Sequence, residues 1–267
     1  MVFSKKKAAN QAFILFSTPF LRSKRPAPPK NAELLSFSLD TVMGQPRKRI
    51  IKGYRWNHPR PVKVLILHGY GSAAYKFESF VAPLVDKGYE VLAFDAPAHG
   101  DSEGKSTNAV EYAAMIRKVM EQYGPVERFI AHSFGGIALS LALEDTAHDA
   151  CTKIVLIAPA TETSSAVDGA FSMLKIKNDE VRKEFDNIIF QVSGKETAWF
   201  SIRRAVKNIR AGILWIHDEE DDVTPLKDAL KVKEDNHPNI DFVITKGLGH
   251  RKIYHDNEVK KKVISFL

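Results

Sequence analysis

The sequence predicts an α/β protein whose central sheet is mostly parallel and covered by helices on both faces. Three observations carry that expectation. From about residue 61 onward, short apolar runs alternate with segments of helical periodicity. One run, Arg128-Phe129-Ile130-Ala131-His132, ends on Ser133 and passes through Phe134, Gly135 and Gly136 directly into a helical pattern. The 267 residues are 44% hydrophobic and 27% charged, enough apolar material for one sizeable core, and no apolar run approaches the ~20 residues of a membrane span.

The chain divides into an arm and a body. Residues 1–30 carry Lys5, Lys6, Lys7, Arg22, Lys24, Arg25 and Lys30 and no acid. Of 39 basic side chains these seven account for the whole formal charge of +7, leaving 32 to balance 32 acidic ones. Charge confined to one arm does not form the basic groove that nucleic acid requires. Phe13, Ile14, Leu15, Phe16, Phe20 and Leu21 interleave with the arm's basic residues, which leaves three readings. They are a helix packed on the body and followed by a Pro-rich linker over 25–29, an interfacial anchor on anionic lipid, and a poor secretory signal. Residues 31–267 read as one domain with an insertion at about 159–210. The single cysteine, Cys151, excludes an internal disulfide and a cysteine-based metal site. It suits a reducing, cytoplasmic setting, peripheral to the inner membrane surface on the anchor reading.

Within the body, 33–39 and 48–56 read as strands of an antiparallel edge, with Gly44-Gln45-Pro46 as their turn. Parallel strands are expected at 62–67, 90–94, 126–130, 153–158, 211–216 and 240–245. Helices are expected at 77–87, 109–123, 134–143, 225–234 and 257–266. The 159–210 insertion is mostly helical. Its Phe171, Met173, Phe185, Phe190 and Trp199 either line an apolar pocket or form the insertion's own core and its seam with the sheet.

In such sheets, reactive groups stand just beyond the carboxyl ends of the strands. Ser133 has small residues two positions to either side, Ala131 and Gly135, as a tight strand-to-helix turn needs. Its hydroxyl would stand at a helix N-terminus, where a developing anion is favoured. After the 62–67 run comes His68-Gly69-Tyr70-Gly71, whose glycines free the backbone to supply an oxyanion donor. The Walker lysine and the third dinucleotide glycine are missing, which disfavours a phosphate loop. Asp95-Ala96-Pro97-Ala98-His99-Gly100 suits a rigid loop, with His99 structural. After 211–216 stand Asp218, Glu219, Glu220, Asp221 and Asp222; one can serve as an acid behind a histidine while the others are solvated. The spacing of an EF-hand calcium loop is absent. Last comes Gly247-Leu248-Gly249-His250, where glycines let an imidazole fold back towards Ser133.

The order Ser133, an acid near 221, then His250 resembles the α/β-hydrolases from about residue 48 to the end. Within that superfamily the motifs look like a largely unassigned bacterial group with a short basic arm. The resemblance implies an α/β-hydrolase fold with the insertion as a helical cap. It assigns Ser133 as nucleophile and His250 as general base. Asp221 is the acid through its Asp-x-x-x-Pro spacing to Pro225, with Asp218 as fallback at a position where the family often has glycine. The Tyr70 and Phe134 N–H groups would form the oxyanion hole, and no metal or organic cofactor is implied. Ala131 departs from the commoner glycine. His132, next to the nucleophile, reads either as a substrate or lid contact or as a neighbour facing away. The expected function is a serine esterase or thioesterase acting on a small or medium acyl substrate. The alternative is a non-catalytic scaffold of the same fold that binds a ligand or protein. The oligomeric state is not expressed in the sequence.

Overall fold

Strands β1 (Glu33–Val42), β2 (Gln45–Trp56), β3 (Lys63–Leu67), β4 (Glu90–Phe94), β5 (Arg128–His132), β6 (Lys153–Ile157), β7 (Gly212–Asp218) and β8 (Ile240–Thr245) form one sheet. Their spatial order is β1-β2-β4-β3-β5-β6-β7-β8. The structure is a computed structural model describing residues 4–20, 27–42 and 45–267. β1 and β2 pair antiparallel, as do β2 and β4, and every other pairing is parallel. β3 lies between β4 and β5, so the winding reverses there and opens a crevice beyond the carboxyl ends of β3 and β5.

The inner strands β3 to β7 are mostly apolar because both of their faces are buried. Leu65, Leu67, Phe129, Ala131 and Trp215 join one core, while Val64, Ile66, Ile130, Val155 and Ile216 join the other. The first core is covered by α3 (Ala109–Tyr123), α4 (Phe134–Leu143) and α8 (Leu226–Glu234). The second is covered by α2 (Val81–Asp86), the 3-10 turn before it (Ala74–Phe80) and α10 (Asn257–Phe266). Gly135 through Leu143 are all buried, so α4 is a core helix and needs no polar face.

Several boundaries differ from the sequence expectation. The helix expected at 77–87 is a 3-10 turn followed by α2. Pro83 has no N–H and fits only the first turn of a helix, so the α-helical part begins at Val81. Gln45 and Pro46 belong to β2; Gly44, the first residue of the expected turn, lies outside the described residues. Val62, Val126, Ala158 and Ala211 fall just beyond the strands. The short helix α9 (Gly249–Lys252) was not expected.

The arm forms helix α1 (Lys5–Ser17), which buries Ala9 and Ala12 and so packs one side on the body. Arg22, Lys24 and Arg25, with the start of the linker, lie outside the described residues. Between β6 and β7 come α5 (Thr163–Met173), α6 (Asp179–Ser193) and α7 (Ile202–Ala205). Phe13 and Phe16 of α1 meet Phe185 of α6 edge-on, with ring centres 5.8 and 5.6 Å apart, and Lys5 pairs with Glu180. Phe171, Phe185 and Ile189 of the insertion are core residues. Neither expectation for its apolar side chains holds for Met173 and Phe190, which are 83% and 51% exposed.

Phe185 is fully buried and shared by α1, α5 and α6. Phe185→Ala should lower the unfolding free energy by about 3–5 kcal/mol in urea titration. It should also make α1 the first segment cut in limited proteolysis.

Candidate active site

Ser133 follows β5 at φ 53° and ψ −119°, a region that a side-chain-bearing residue enters only under constraint. Three backbone hydrogen bonds hold it there. Its N–H donates to the Ile157 carbonyl at 3.1 Å, and its own carbonyl accepts from Gly136 at 2.9 Å and Ala160 at 3.0 Å. The turn also requires a close approach: a Cβ on Gly135 would stand 2.8 Å from the carbonyl oxygens of Leu67 and His68. Glycine there lets α4 start against the end of β3.

The structure brings Ser133, His250 and Asp221 into one hydrogen-bonded series. Ser133 Oγ lies 3.0 Å from His250 Nε2, and His250 Nδ1 lies 2.9 Å from Asp221 Oδ2. Gly247 and Gly249, at φ 82° and 57°, let the chain turn back after β8 and deliver the imidazole. Asp221 Oδ1 accepts the N–H groups of Val223 at 2.9 Å and Thr224 at 2.8 Å. The Thr224 hydroxyl donates to Asp221 Oδ2 at 2.8 Å and lies 3.1 Å from His250 Nδ1. Burial pushes the Asp221 carboxyl upward, but the hydrogen bond and charge of His250 and these N–H donors outweigh it. The carboxyl is held below its usual range.

His217 lies behind Asp221 and is fully buried. Its Nε2–H donates to the Thr224 carbonyl at 2.8 Å, and the Trp215 indole N–H reaches its Nδ1 at 3.4 Å. Nδ1 is therefore an acceptor and the ring is neutral, in keeping with burial pushing its pKa down.

Asp218 is neither solvated nor the partner of His250. It is fully buried, and both oxygens are taken up by the neighbouring loop. Oδ1 accepts from Glu220 N at 3.0 Å and Gly249 N at 2.9 Å; Oδ2 accepts from Leu248 N at 3.1 Å and the Thr245 hydroxyl at 2.7 Å. Desolvation raises its pKa, but these donors reverse the shift and hold it below the ordinary value. Two of the five carboxylates are thus buried, which the charge argument did not foresee, because each is met by several donors. Asp218 ties the His250 loop to the end of β7. His132 ties the other side: its Nε2–H donates to the His250 carbonyl at 3.1 Å, and the two rings lie 4.8 Å apart. Burial, then the neighbouring His250, pushes its pKa down to about 3.

Tyr70 and Phe134 stand side by side, with rings 5.5 Å apart and edge to face. Phe134 opens α4, where the first N–H groups have no partner within the helix. Tyr70 is the second residue of a turn closed from Ser72 N to Gly69 O, which leaves its own N–H outside that bond. The loop is fixed from below by two buried histidines. His68 Nε2 accepts from Ala96 N and His99 Nε2 from Gly71 N, both at 2.9 Å. Burial, then the neighbouring His99, lowers the His68 pKa to about 3. The Tyr70 hydroxyl donates to the Phe16 carbonyl of α1 at 2.9 Å. Among the described residues no cluster of three histidine, cysteine or carboxylate side chains is placed to hold a metal ion.

Sequence reasoning did not single out Thr224 or the supporting role of His217. Thr224 lies inside the Asp221-to-Pro225 spacing, and an aspartate followed three residues later by a threonine is the pattern of a local side-chain-to-backbone turn. No such signal marks His217.

The sequence pattern described as the alpha/beta hydrolase fold matches residues 63–185. An uncharacterized hydrolase of Bacillus subtilis, YugF, is 30% identical over 107 residues; the match covers 38% of this chain and 38% of that protein. A Pyrococcus furiosus esterase, Pf2001, has a similar structure, with a TM-score of 0.68 at 21% identity over 92% of this chain and 96% of that one. Mouse alpha/beta hydrolase domain-containing protein 10 gives a TM-score of 0.61 at 16% identity over 88% and 96% of the two chains.

The depressed pKa of Asp218 means that its contribution to stability is present above its ordinary value of 3.8 and lost as pH falls through the lower folded-state value. Asp218→Asn should therefore be less stable than wild type in urea at pH 7. The gap should narrow as the titration is repeated at pH values below that point.

Proposed function

We propose, on the premise that the chain belongs to the α/β-hydrolase superfamily, that it is a serine hydrolase. It cleaves an ester or thioester of a small or medium acyl substrate through an acyl-enzyme. The observation that carries this reading is the unbroken series Ser133 Oγ, His250, Asp221, with contacts of 3.0 and 2.9 Å.

In the first half-reaction His250 Nε2 takes the Ser133 hydroxyl proton while Oγ attacks the acyl carbonyl carbon. The carbonyl oxygen becomes an oxyanion facing the N–H groups of Tyr70 and Phe134 at the start of α4. Collapse breaks the bond to the alcohol or thiol, which leaves with the proton returned from His250. Water then attacks the acyl carbon, His250 takes its proton, and the acid departs as Ser133 recovers its hydrogen. Asp221, kept ionised by its donors, fixes the imidazole through Nδ1 and stabilises the imidazolium formed twice per cycle. Neutral His217 adds no competing positive charge behind Asp221.

A fluorophosphonate probe should label the wild type and fail to label Ser133→Ala. Hydrolysis of p-nitrophenyl esters of graded chain length should give the acyl preference. Ser133→Ala and His250→Ala should each lower kcat by about 10³-fold or more, because the groups act as a unit. Folded wild type that neither takes the probe nor turns over any ester would instead indicate a binding scaffold.

A further inference from the structure

We propose that α1 and the α5–α6 pair form a docking face for an anionic lipid surface. This inference stands apart from the hydrolase reading. It starts from where the apolar side chains that face water are found. Of eleven large apolar side chains exposed among the described residues, six lie on or next to these three helices: Ile14, Leu15 and Phe20, and Met173, Leu174 and Phe190. α1 packs along α6 and touches α5, so the six belong to one packed unit. An exposed apolar group of this kind on a folded chain marks a contact surface.

Charge identifies the occupant. The first thirty residues hold seven basic side chains and no acid. Residues 163–193 hold four basic and five acidic side chains, so the arm and the α5–α6 segment together carry six net positive charges and the remainder of the chain one. Lys6 and Lys7, and Lys175 and Lys177 just after Met173, are exposed. The acids of α6 are partly answered at home: Glu180 by Lys5, and Asp186 by Arg182. A second copy of the chain on this face would bring like charge against like. A nucleic acid would leave the apolar side chains in water. Exposed aliphatic and aromatic groups set among lysines on helices partition into a headgroup layer, with the cations at the lipid phosphates. Among the described residues no helix is long and apolar enough to cross a membrane, so the contact lies along the surface. The Phe16 carbonyl of α1 accepts the Tyr70 hydroxyl, so the docking helix is tied directly to the Tyr70 loop.

Flotation of the whole chain with vesicles tests this and needs no turnover. The chain should float with vesicles of phosphatidylcholine containing about one quarter phosphatidylglycerol, stay behind with phosphatidylcholine alone, and be released by about 0.5 M NaCl. The triple variant Ile14→Ser, Leu15→Ser, Phe20→Ser should lose at least about tenfold in partitioning while keeping its circular dichroism spectrum. Met173→Ser with Phe190→Ser should weaken binding in the same direction. Equal recovery of wild type with neutral and anionic vesicles, or unchanged flotation of both variants, overturns the proposal. So does a salt-insensitive dimer that the triple variant dissociates while wild type ignores the vesicles.

Discussion

Everything at the carboxyl edge of the sheet depends on how closely α4 approaches β3. Gly135 stands where any side chain would strike the Leu67 and His68 carbonyls, and Ser133 is forced to positive φ to make the entry. The strained turn is retained because three backbone hydrogen bonds and a fully buried helix determine it from several sides. Its consequence is geometric. The serine, the first N–H of α4 and the Tyr70 loop are brought to one point before any side chain is chosen for chemistry.

Around that point charge is divided sharply. Two carboxylates are buried and ionised, each surrounded by N–H and O–H donors. Burial keeps His68 and His132 neutral, with pKa values near 3, and lowers that of His217 as well. Histidines kept neutral make dependable hydrogen-bond partners: above its lowered pKa each presents one donor and one acceptor. His132 uses that reliability to hold the His250 carbonyl, while the Asp218 carboxylate holds the Leu248 and Gly249 N–H groups just before it.

The fold class was readable because parallel strands buried on both faces leave continuous apolar runs, and each run from Lys63 onward corresponds to a strand. Boundaries were less readable where local chemistry intervened, as at Pro83, whose missing N–H ends one helical form and begins another. The candidate site was readable at the level of residue type and chain order, since Ser133, Asp221 and His250 each follow a strand within a few residues, with Gly135, Pro225 and Gly249 close by in the chain. The function of Asp218 could not be read from its position. Whether a carboxylate in an acidic run faces water or a ring of N–H donors depends on where a loop thirty residues away folds back. The fate of the insertion's apolar residues was similarly hidden, because periodicity within α5 and α6 does not say that α1 occupies one side of α6 and leaves Met173 and Phe190 uncovered.

The contact between the Tyr70 phenol and the Phe16 carbonyl makes the first helix part of the frame around the mouth. Ser17 adds a second tie, its carbonyl accepting the Thr107 N–H at 2.9 Å. A shortened chain beginning near the Pro-rich segment would keep every reactive group yet lose the strut that holds the tyrosine's far end, and with it the cover over Phe185. Trimming the arm to tidy the protein would therefore loosen the Tyr70 and Thr107 segments that α1 ties down.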